Sequence, residues 1–593
     1  MPVAARIAPS APAPVVEWQV IDGVGERPAC PTCSLYTWNS DLPPTYSTAQ
    51  LTVPDMILPA ETNVDWFNGI IVLRDGMGEP YGYAVAGYTF LPDVGIGDGC
   101  IPSLIGPYPD PIKFEHYDRR QGPQCCFVAA YDLDGNRLWS HAYQRGQLNA
   151  IIQGSDGNIV VAGETVDREG WSGSPWTTGP IYVDPTTGGQ TSATAMDCAG
   201  NLSQLFVMKI DPSTGNALWK HIFPSNNNLA LARNERSQAF GLVQTDPAGN
   251  PGYRVVGFRR ALTGTVLRDR PFMVDLDGQG YLNFKKVFGP ADGTIMFPDT
   301  DGDGRAHWIA RHPDPSREEY IITGVRRDTD HGSIPSAFIM YFDQTSAQTA
   351  QWMEDTNINA AEYATTTSGN ENSMRGCFAV EGSSTSIIWP VLTHFDGGIF
   401  PGNHEASGRL YKMDLAHTQI RTSPVDLGRM RGFDLLLDVI QLNNGHLGAA
   451  STKSVITTAD PLTFAELDPA VQICLAGIDP DPSVSDGEFD YDPNGQTGIS
   501  PEPYNWASVP TSTLGYWLSD SYVEEVAIGS GAIAWEMVID ADEEGGIGTS
   551  TDCWPGNFRK RQCSFKLAEA SPGELVICGN SGHGIEDGYI AKL

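Results

Sequence analysis

The chain closes on itself in sequence. Its last residues, Asp587-Gly588-Tyr589-Ile590-Ala591-Lys592-Leu593, form half of a repeat whose other half, Val15-Val16-Glu17-Trp18-Gln19-Val20, stands near the opposite terminus. Uninterrupted copies run elsewhere. One is Phe127-Val128-Ala129-Ala130-Tyr131-Asp132, a Leu-Asp-Gly-Asn turn, then Arg137-Leu138-Trp139-Ser140-His141. A second is Leu205-Phe206-Val207-Met208-Lys209-Ile210-Asp211, a Pro-Ser-Thr-Gly-Asn turn, then Ala217-Leu218-Trp219-Lys220-His221. A unit divided between the termini is what a circular array needs, because the first strand must complete the last unit. The pattern predicts an all-β fold, a β-propeller of four-stranded antiparallel blades.

Within each unit a first strand is followed by a tight Gly/Asp/Asn turn and a second strand ending in a Val-Ala-Gly-like triplet. The third strand ends in Asp, and the fourth often carries Trp. The triplet recurs as Val85-Ala86-Gly87, Val161-Ala162-Gly163, Val255-Val256-Gly257, Ile322-Thr323-Gly324 and Ile577-Cys578-Gly579. It is degraded at Ile388-Trp389-Pro390 and Gly448-Ala449-Ala450, and the count is seven. Fourth strands centre on Trp139, Trp219, Phe284, Trp352, Trp535 and Trp18; the fifth blade matches poorly, with Arg421 and Thr422 near the Trp position. The expected division is a Pro/Ala-rich arm at 1–14, then one domain at 15–593. Its blades are 64–143, 147–223, 235–288, 305–354, 374–426, 430–540 and 562–593, the last closed by 15–23. The aromatics are expected to pack between neighbouring blades, and the glycines to permit close backbone approach in the same packing.

The repeat resembles secreted bacterial β-propeller repeats and the related quinoprotein-type, PQQ-like "tryptophan-docking" repeats. Ile210-Asp211-Pro212-Ser213-Thr214-Gly215-Asn216-Ala217-Leu218-Trp219 and Gly588-Tyr589-Ile590-Ala591-Lys592-Leu593 carry that likeness. The resemblance implies the fold and leaves the activity open, because propellers host many unrelated functions. In the quinoprotein dehydrogenases of this type a vicinal disulfide lies over the quinone with calcium beside it, and Cys125-Cys126 and the Asp-rich loops are similar to both. That implied oxidoreductase is the minor reading, since the cysteine pair precedes a third strand, away from the strands lining the channel.

Composition narrows the partners. Net charge is −35 with only 37 Lys and Arg, so nucleic acid and anionic lipid are repelled. No run of eighteen apolar residues exists to span a membrane. No charged segment followed by an apolar core marks a signal peptide, and Pro2 to Pro14 read as a processed start. Eleven cysteines point to an oxidising compartment, so the expected location is extracellular, cell-surface or periplasmic. Disulfides are expected to restrict the insertions bracketed by Cys100 with Cys125-Cys126 and by Cys553 with Cys563. Cys30-Pro-Thr-Cys33 reads as a local bridge ahead of a redox pair or half a metal site, and Cys578 as a buried strand residue. The odd total leaves at least one thiol without an intrachain partner.

The long segments, 21–63, 91–125, 166–203, 289–304, 353–373, 453–513 and 541–562, all fall at second-to-third loops or links between blades. In a four-stranded meander those connections share one face, so one face is plain and the other decorated. Loops of this length are commonly functional. Two of them have the spacing of calcium ligands. Asp299, Asp301 and Asp303 alternate within Asp-Thr-Asp-Gly-Asp-Gly, and Asp490, Asp492 and Asn494 alternate ahead of Gly495. The first lacks its usual distal acid: Ala310 and His307 occupy those positions, leaving Asp314, Glu318 or Glu319 as substitutes. Glu502 is the distal candidate for the second, which Pro493 restricts. Calcium there would brace a loop with no core of its own.

Enzyme signatures are thin. Gly579-Asn580-Ser581-Gly582-His583 and Gly170-Trp171-Ser172-Gly173-Ser174 each lack the last Gly of a nucleophile elbow and its strand-to-helix context. His307 and His312 are spaced for no common zinc site. Acidic pairs suited to glycosidase chemistry abound but carry no separation. The expectation is a non-catalytic module that binds a protein or glycan, or copies of itself, through its decorated face. A quinoprotein-like oxidoreductase or glycan-cleaving enzyme with its site at the channel mouth is the alternative.

Overall fold

The computed structural model describes residues 16–22, 65–89, 125–165, 182–183, 190–191, 204–223, 236–245, 251–263, 266–288, 303–312, 319–327, 335–343, 350–355, 369–373, 377–381, 384–396, 404–414, 425–426, 434–454, 519–528, 530, 532–539, 563–583 and 585–593. Among these residues every element is a β-strand.

The strand that closes the array is Trp18–Asp22. It runs antiparallel to Ile585–Lys592, with Trp18 opposite Lys592 and Val20 opposite Ile590. Behind that strand lie Glu574–His583 and Cys563–Ser571, so one four-stranded sheet is built from both ends of the chain. Its innermost strand, Cys563–Ser571, touches Asp65–Arg74, the first strand of the next sheet. The same side-by-side contact continues from sheet to sheet. Arg236–Thr245 packs on Arg137–Gln153, and Asp303–Arg311 on Arg236–Thr245. Gly369–Ser373 packs on Pro335–Asp343, Asp434–Gln441 on His404–Asp414, and Cys563–Ser571 on Asp434–Gln441. The last contact returns to the starting sheet. A ring of antiparallel sheets packed face to face around an axis is a β-propeller.

The number of sheets departs from the expected seven: the described strands hydrogen-bond into six. The physical reason is the strand Arg137–Gln153. Its first half, through Arg145, pairs with Cys125–Asp132, and its second half, from Gly146, pairs with Ile159–Thr165. No turn separates the halves; Gly146, at φ 147°, bends the strand in passing. The two stretches expected to be separate first and second blades therefore form one nine-stranded sheet. Its outer edge gains a short hairpin, Tyr182–Val183 with Gln190–Thr191, the first strand lying parallel to Ala217–Phe223.

Apolar clusters fill the space between successive sheets. Val256, Met273, Ala306, Ile322 and Met340 join the Arg236–Thr245 sheet to the Asp303–Arg311 sheet across one such interface. Ala450, Val523, Ile577 and Ala591 join the Asp434–Gln441 sheet to the closing sheet across another. Burying each larger side chain contributes about 1.5–3 kcal/mol, so the ring is held by side chains between sheets while hydrogen bonds hold each sheet.

The fourth-strand tryptophans lock one unit to the next. Trp18 lies on Gly135 of the following turn and donates its indole N–H to the Leu133 carbonyl at 3.1 Å. Trp139 repeats the contact one unit on, over Gly215, with its indole N–H 2.8 Å from the Pro212 carbonyl. Trp219 stands over Gly280 and stacks on His221 at 5.2 Å. Gly215 must be glycine twice over: its φ is +73°, and a Cβ there would collide with His141 and Trp139. Trp535 breaks the pattern, because its N–H turns to Glu525 of its own sheet at 2.6 Å.

The Val-Ala-Gly triplets have a different cause from the one expected. The first strand of each unit carries a β-bulge, visible as register shifts at Phe67/Gly69, Leu148/Ala150, Ala239/Gly241, Ala306/Trp308, Leu436/Asp438 and Ser564/Lys566. Each triplet glycine stands opposite the bulge: Gly87 faces Phe67, Gly163 faces Leu148, Gly257 faces Ala239 and Gly324 faces Ala306. The bulged strand pushes a carbonyl oxygen into the space a Cβ would occupy. The close approach lies inside a sheet and not between sheets.

The degraded triplet Ile388-Trp389-Pro390 is the extreme case. There the first strand splits in two, Gly369–Ser373 and Cys377–Glu381, pairing on either side of Trp389 and Pro390. Proline, which has no N–H to give a ladder, sits at the gap between the two halves of the split strand. The fourth strand of that sheet is Val425–Asp426, short and displaced from the expected Arg421 and Thr422, which lie outside the described residues.

Candidate functional site

Strand order assigns every connection to one of two rims. First-to-second and third-to-fourth connections share one rim, and the described ones are tight turns, several of them stapled by an acceptor side chain at their start. The Asp75 carboxylate accepts from the N–H groups of Met77 and Glu79, Asp132 from Asp134 and Asn136, and Asp277 from Gln279 and Tyr281. The Asn136 side chain, then backbone donors, hold the Asp132 carboxyl below the usual carboxylate range, and Ser213 does the same for Asp211. The repeated aspartates of the turns are thus structural acceptors. The longest connections, 23–64, 90–124, 166–203, 289–302, 356–368, 455–518 and 540–562, leave the sheets at the opposite rim.

Around the axis the bulges face one another. Asn68 donates its amide to the Leu148 carbonyl at 2.9 Å, and Asn149 donates to the Ala239 carbonyl at 2.8 Å. Phe240 meets His307 edge to face at 5.2 Å. Four consecutive bulges are coupled in this way, and their side chains are spent on each other. His307 therefore stands on the first strand of its sheet, at the bulge.

The rim bearing the long connections carries a network that no single stretch of sequence announces. Arg236, the first residue of its strand, reaches Glu164 of the preceding sheet through Nε and Nη2 at 3.0–3.2 Å, and Gln147 holds the same carboxylate at 3.0 Å. On the next interface Asp269 receives Arg260 Nε at 2.7 Å and Arg305 at 2.6 Å. The two systems meet at Phe258: the Arg305 guanidinium lies 4.5 Å from its ring centre and the Arg236 guanidinium 5.6 Å. Glu164 and Asp269 are buried, while the Arg260 and Arg305 side chains remain partly open at 21% and 26%. Arg259, Arg268 and Arg270 stand on the adjoining cross-strand pairs. Arg326 and Arg327 end their strand at the same rim. In a chain of net charge −35 this is a local excess of guanidinium.

Burial alone would raise the Asp269 pKa; the forks of Arg260 and Arg305 more than offset it and hold the carboxyl below its usual range. A lowered folded-state pKa contributes stability that is fully present above the ordinary carboxylate value of about 3.9 and is lost as pH falls through the lower folded value. Asp269→Asn removes one acceptor from two guanidiniums in a mostly buried setting. It is expected to cost about 3 kcal/mol, measured by denaturant unfolding at pH 7, and to flatten the stability loss below about pH 4.

The expected metal ligands Asp299, Asp301, Asp490, Asp492 and Asn494 lie outside the described residues. Asp303 opens the strand Asp303–Arg311, paired with Arg327. Ala310 and His307 lie within that strand, so neither stands in a loop. No group of three or more metal-ligating side chains occurs among the described residues. Cys126 keeps a buried thiol, its Sγ 3.8 Å from the Glu164 carbonyl oxygen, in place of the vicinal disulfide implied by the resemblance. Cys578 is buried likewise, against the Phe67 carbonyl. No disulfide occurs among the described residues, while Cys30, Cys33, Cys100 and Cys553 fall outside them. Gly579 to His583 continue the strand Glu574–His583, which is no elbow, and Gly170 to Ser174 lie outside the described residues. No helix among the described residues is long and apolar enough to cross a membrane. The doublets Arg259-Arg260 and Arg326-Arg327, in so acidic a chain, are the sequence signal that marks the arginine network.

The ring of sheets, the terminal strand that closes it and the tryptophans over the turns define an all-β propeller. No protein-family model matches the chain, and no curated protein matches it. Among solved structures the chain is similar to the Dos1 propeller, at 8% identity and TM-score 0.34, over 79% of this chain and 74% of that one. It is similar to an ulvan-cleaving polysaccharide lyase at 11% identity and TM-score 0.32, over 56% and 75%. A glucose dehydrogenase aligns at 9% identity and TM-score 0.22, over 60% and 95%. Scores of that size carry no argument, and the fold stands on the strand pairing described above.

Proposed function

We propose that this protein is a non-catalytic β-propeller, extracellular or displayed on a cell surface, that binds a protein, a glycan or another copy of itself through the rim bearing its long connections. The observation that carries the reading is the segregation of connections. Among the described residues the connections of one rim are short turns, while the longest connections all leave from the other. The inner bulges support it, since Asn68, Asn149, Phe240 and His307 are committed to one another around the axis. Calcium, held by Asp299, Asp301 and Asp303 and by Asp490, Asp492 and Asn494, braces two of those connections in this proposal.

Replacing residues 456–517 with a short Asn-Gly turn between the strands that end at Ser454 and begin at Ser519 tests the reading. Thermal unfolding of the ring should stay within a few degrees, while binding found for the intact chain on a glycan array or by sedimentation should be lost. Turnover of a sugar or polysaccharide by the intact chain would contradict it. For calcium, saturating ion is expected to raise the unfolding free energy of the EDTA-treated chain by about 2–3 kcal/mol. Asp301→Asn should abolish part of that gain; no calcium-dependent shift would remove the metal from the proposal.

A further inference from the structure

The rim of short turns carries a second surface, which the binding role of the opposite rim leaves unused. The large apolar side chains that stay exposed among the described residues all stand there: Met77 at 86%, Leu138 and Leu218 at 53%, Tyr281 at 39% and Tyr81 at 38%. Single apolar residues scattered over a surface are ordinary, whereas a group confined to one rim marks contact with another molecule. The group is continuous across the nine-stranded sheet. The Arg74 N–H donates to Gln153 Oε1 at 2.8 Å and Gln153 Nε2 returns to the Arg74 carbonyl at 2.9 Å, which ties the 75–79 turn to the 154–158 turn. The Trp139 indole ties the strand of Leu138 to the 211–216 turn at Pro212. His221, on the strand of Leu218, lies 6.1 Å from the Tyr281 ring.

The same turns are acidic. Those that the nine-stranded sheet places on this rim hold Asp75, Glu79, Asp132, Asp134, Asp156 and Asp211, and no Lys or Arg. Asp75, Glu79 and Asp134 are exposed. Burial first, then the fields of Asp211 and Asp75, raise the Tyr81 pKa, so its ring stands among these carboxylates. Bases on the flanking strands are engaged. Arg74 donates to the Gly78, Glu569 and Ala570 carbonyls, Lys209 lies on Asp156 at 2.6 Å, and Arg137 has a partner of its own. We propose that this rim of the nine-stranded sheet docks a basic segment of a different protein, its Arg or Lys groups on Glu79 and Asp134 and its apolar side chains on Met77, Tyr81 and Leu138. Guanidinium groups stack on tyrosine rings and make charge-assisted hydrogen bonds to carboxylates. A thioether and branched aliphatic groups beside the rings suit packed side chains, where a sugar would call for flat rings alone. A second copy of this chain brings the same net charge of −35, which sets it against an acidic rim.

Fluorescence anisotropy of the intact chain at about 0.15 M salt tests the surface with three labelled synthetic peptides: Arg alternating with Leu, Arg with Ser, and Glu with Leu. The Arg–Leu peptide should bind at least about tenfold more tightly than either control. Glu79→Lys/Asp134→Lys and Met77→Ser/Leu138→Ser, each with an unchanged unfolding temperature, should each weaken that binding at least about tenfold. Replacing residues 456–517 with the Asn-Gly turn should leave it unchanged. Hydrogen exchange of the wild-type chain reads the same contact without any substitution, as slower exchange in residues 75–81 and 132–138 when the Arg–Leu peptide is bound. A chain that binds none of the peptides, or binds Arg–Ser as tightly as Arg–Leu, overturns the proposal, the second result because net charge alone would explain it. Folded variants that bind as the wild type does, or no protection in those two segments, overturn it as well. Loss of peptide binding on replacing residues 456–517 would put the contact on the opposite rim and overturn it too.

Discussion

Deleting residues 1–22 should lower the unfolding free energy by more than about 5 kcal/mol and leave a chain that associates through its open edge. The strand Trp18–Asp22 supplies the outer ladder of the closing sheet. Trp18 also packs between sheets, 5.8 Å from Tyr83, and is bonded to the Leu133 carbonyl. Loss of a packed tryptophan costs about 3–5 kcal/mol by itself, before Val20 and the five-residue ladder are counted. The edge of Ile585–Lys592 would then be unpaired, a template for pairing with another chain. Denaturant unfolding and light scattering measure both effects. A peptide spanning residues 15–23, added in trans, should restore the native midpoint. A truncated chain with wild-type stability would mean that the terminal strand does not close the ring.

The second large effect concerns a residue with no side chain. Gly257→Ala should cost at least about 4 kcal/mol, beyond the usual 1–3 kcal/mol for an overpacked core methyl. The added Cβ meets the Gln238 carbonyl oxygen, a backbone atom held by the bulge at Ala239/Gly241. A rotamer change cannot relieve that collision; the strand itself must move. Gly76→Ala, in an exposed turn with nothing within 4 Å of the added carbon, is the control and should shift stability by less than about 0.5 kcal/mol. Equal effects at the two positions would refute the bulge as the origin of the triplet.

These residues show what a sequence can and cannot announce. Features confined to a few consecutive positions were readable: the stapled turns, the strand periodicity, the tryptophan of the fourth strand and the divided repeat. Features that depend on register were not. The glycine of each triplet was visible as a demand for close approach, but only pairing reveals that the intruding atom belongs to the bulged strand of the same sheet. The merged nine-stranded sheet was hidden because His141-Ala142-Tyr143-Gln144-Arg145-Gly146-Gln147 contains one glycine and no other turn residue. A strand that bends there without breaking has the same sequence signature as two strands and a link. The arginine network was hidden for a related reason. Glu164, Arg236, Asp269 and Arg305 belong to four strands in three consecutive sheets and meet only when the ring is assembled. The exposed apolar group at the short-turn rim was masked by its neighbours, since Leu138 and Leu218 each precede a tryptophan that packs inward.

Native-state hydrogen exchange resolved by peptide is the most direct test of the closed ring. Amides of residues 18–22 should be protected, and should exchange with the same opening free energy as the amides of residues 588–592 that bond to them, because those amides share one ladder. Deleting residues 18–22 should expose only the amides of the last strand that face them, because Ile585–Lys592 also pairs with Glu574–His583. Exchange of residues 18–22 at the rate of an unstructured chain, with residues 585–592 fully protected, would contradict the ring and everything built on its two rims.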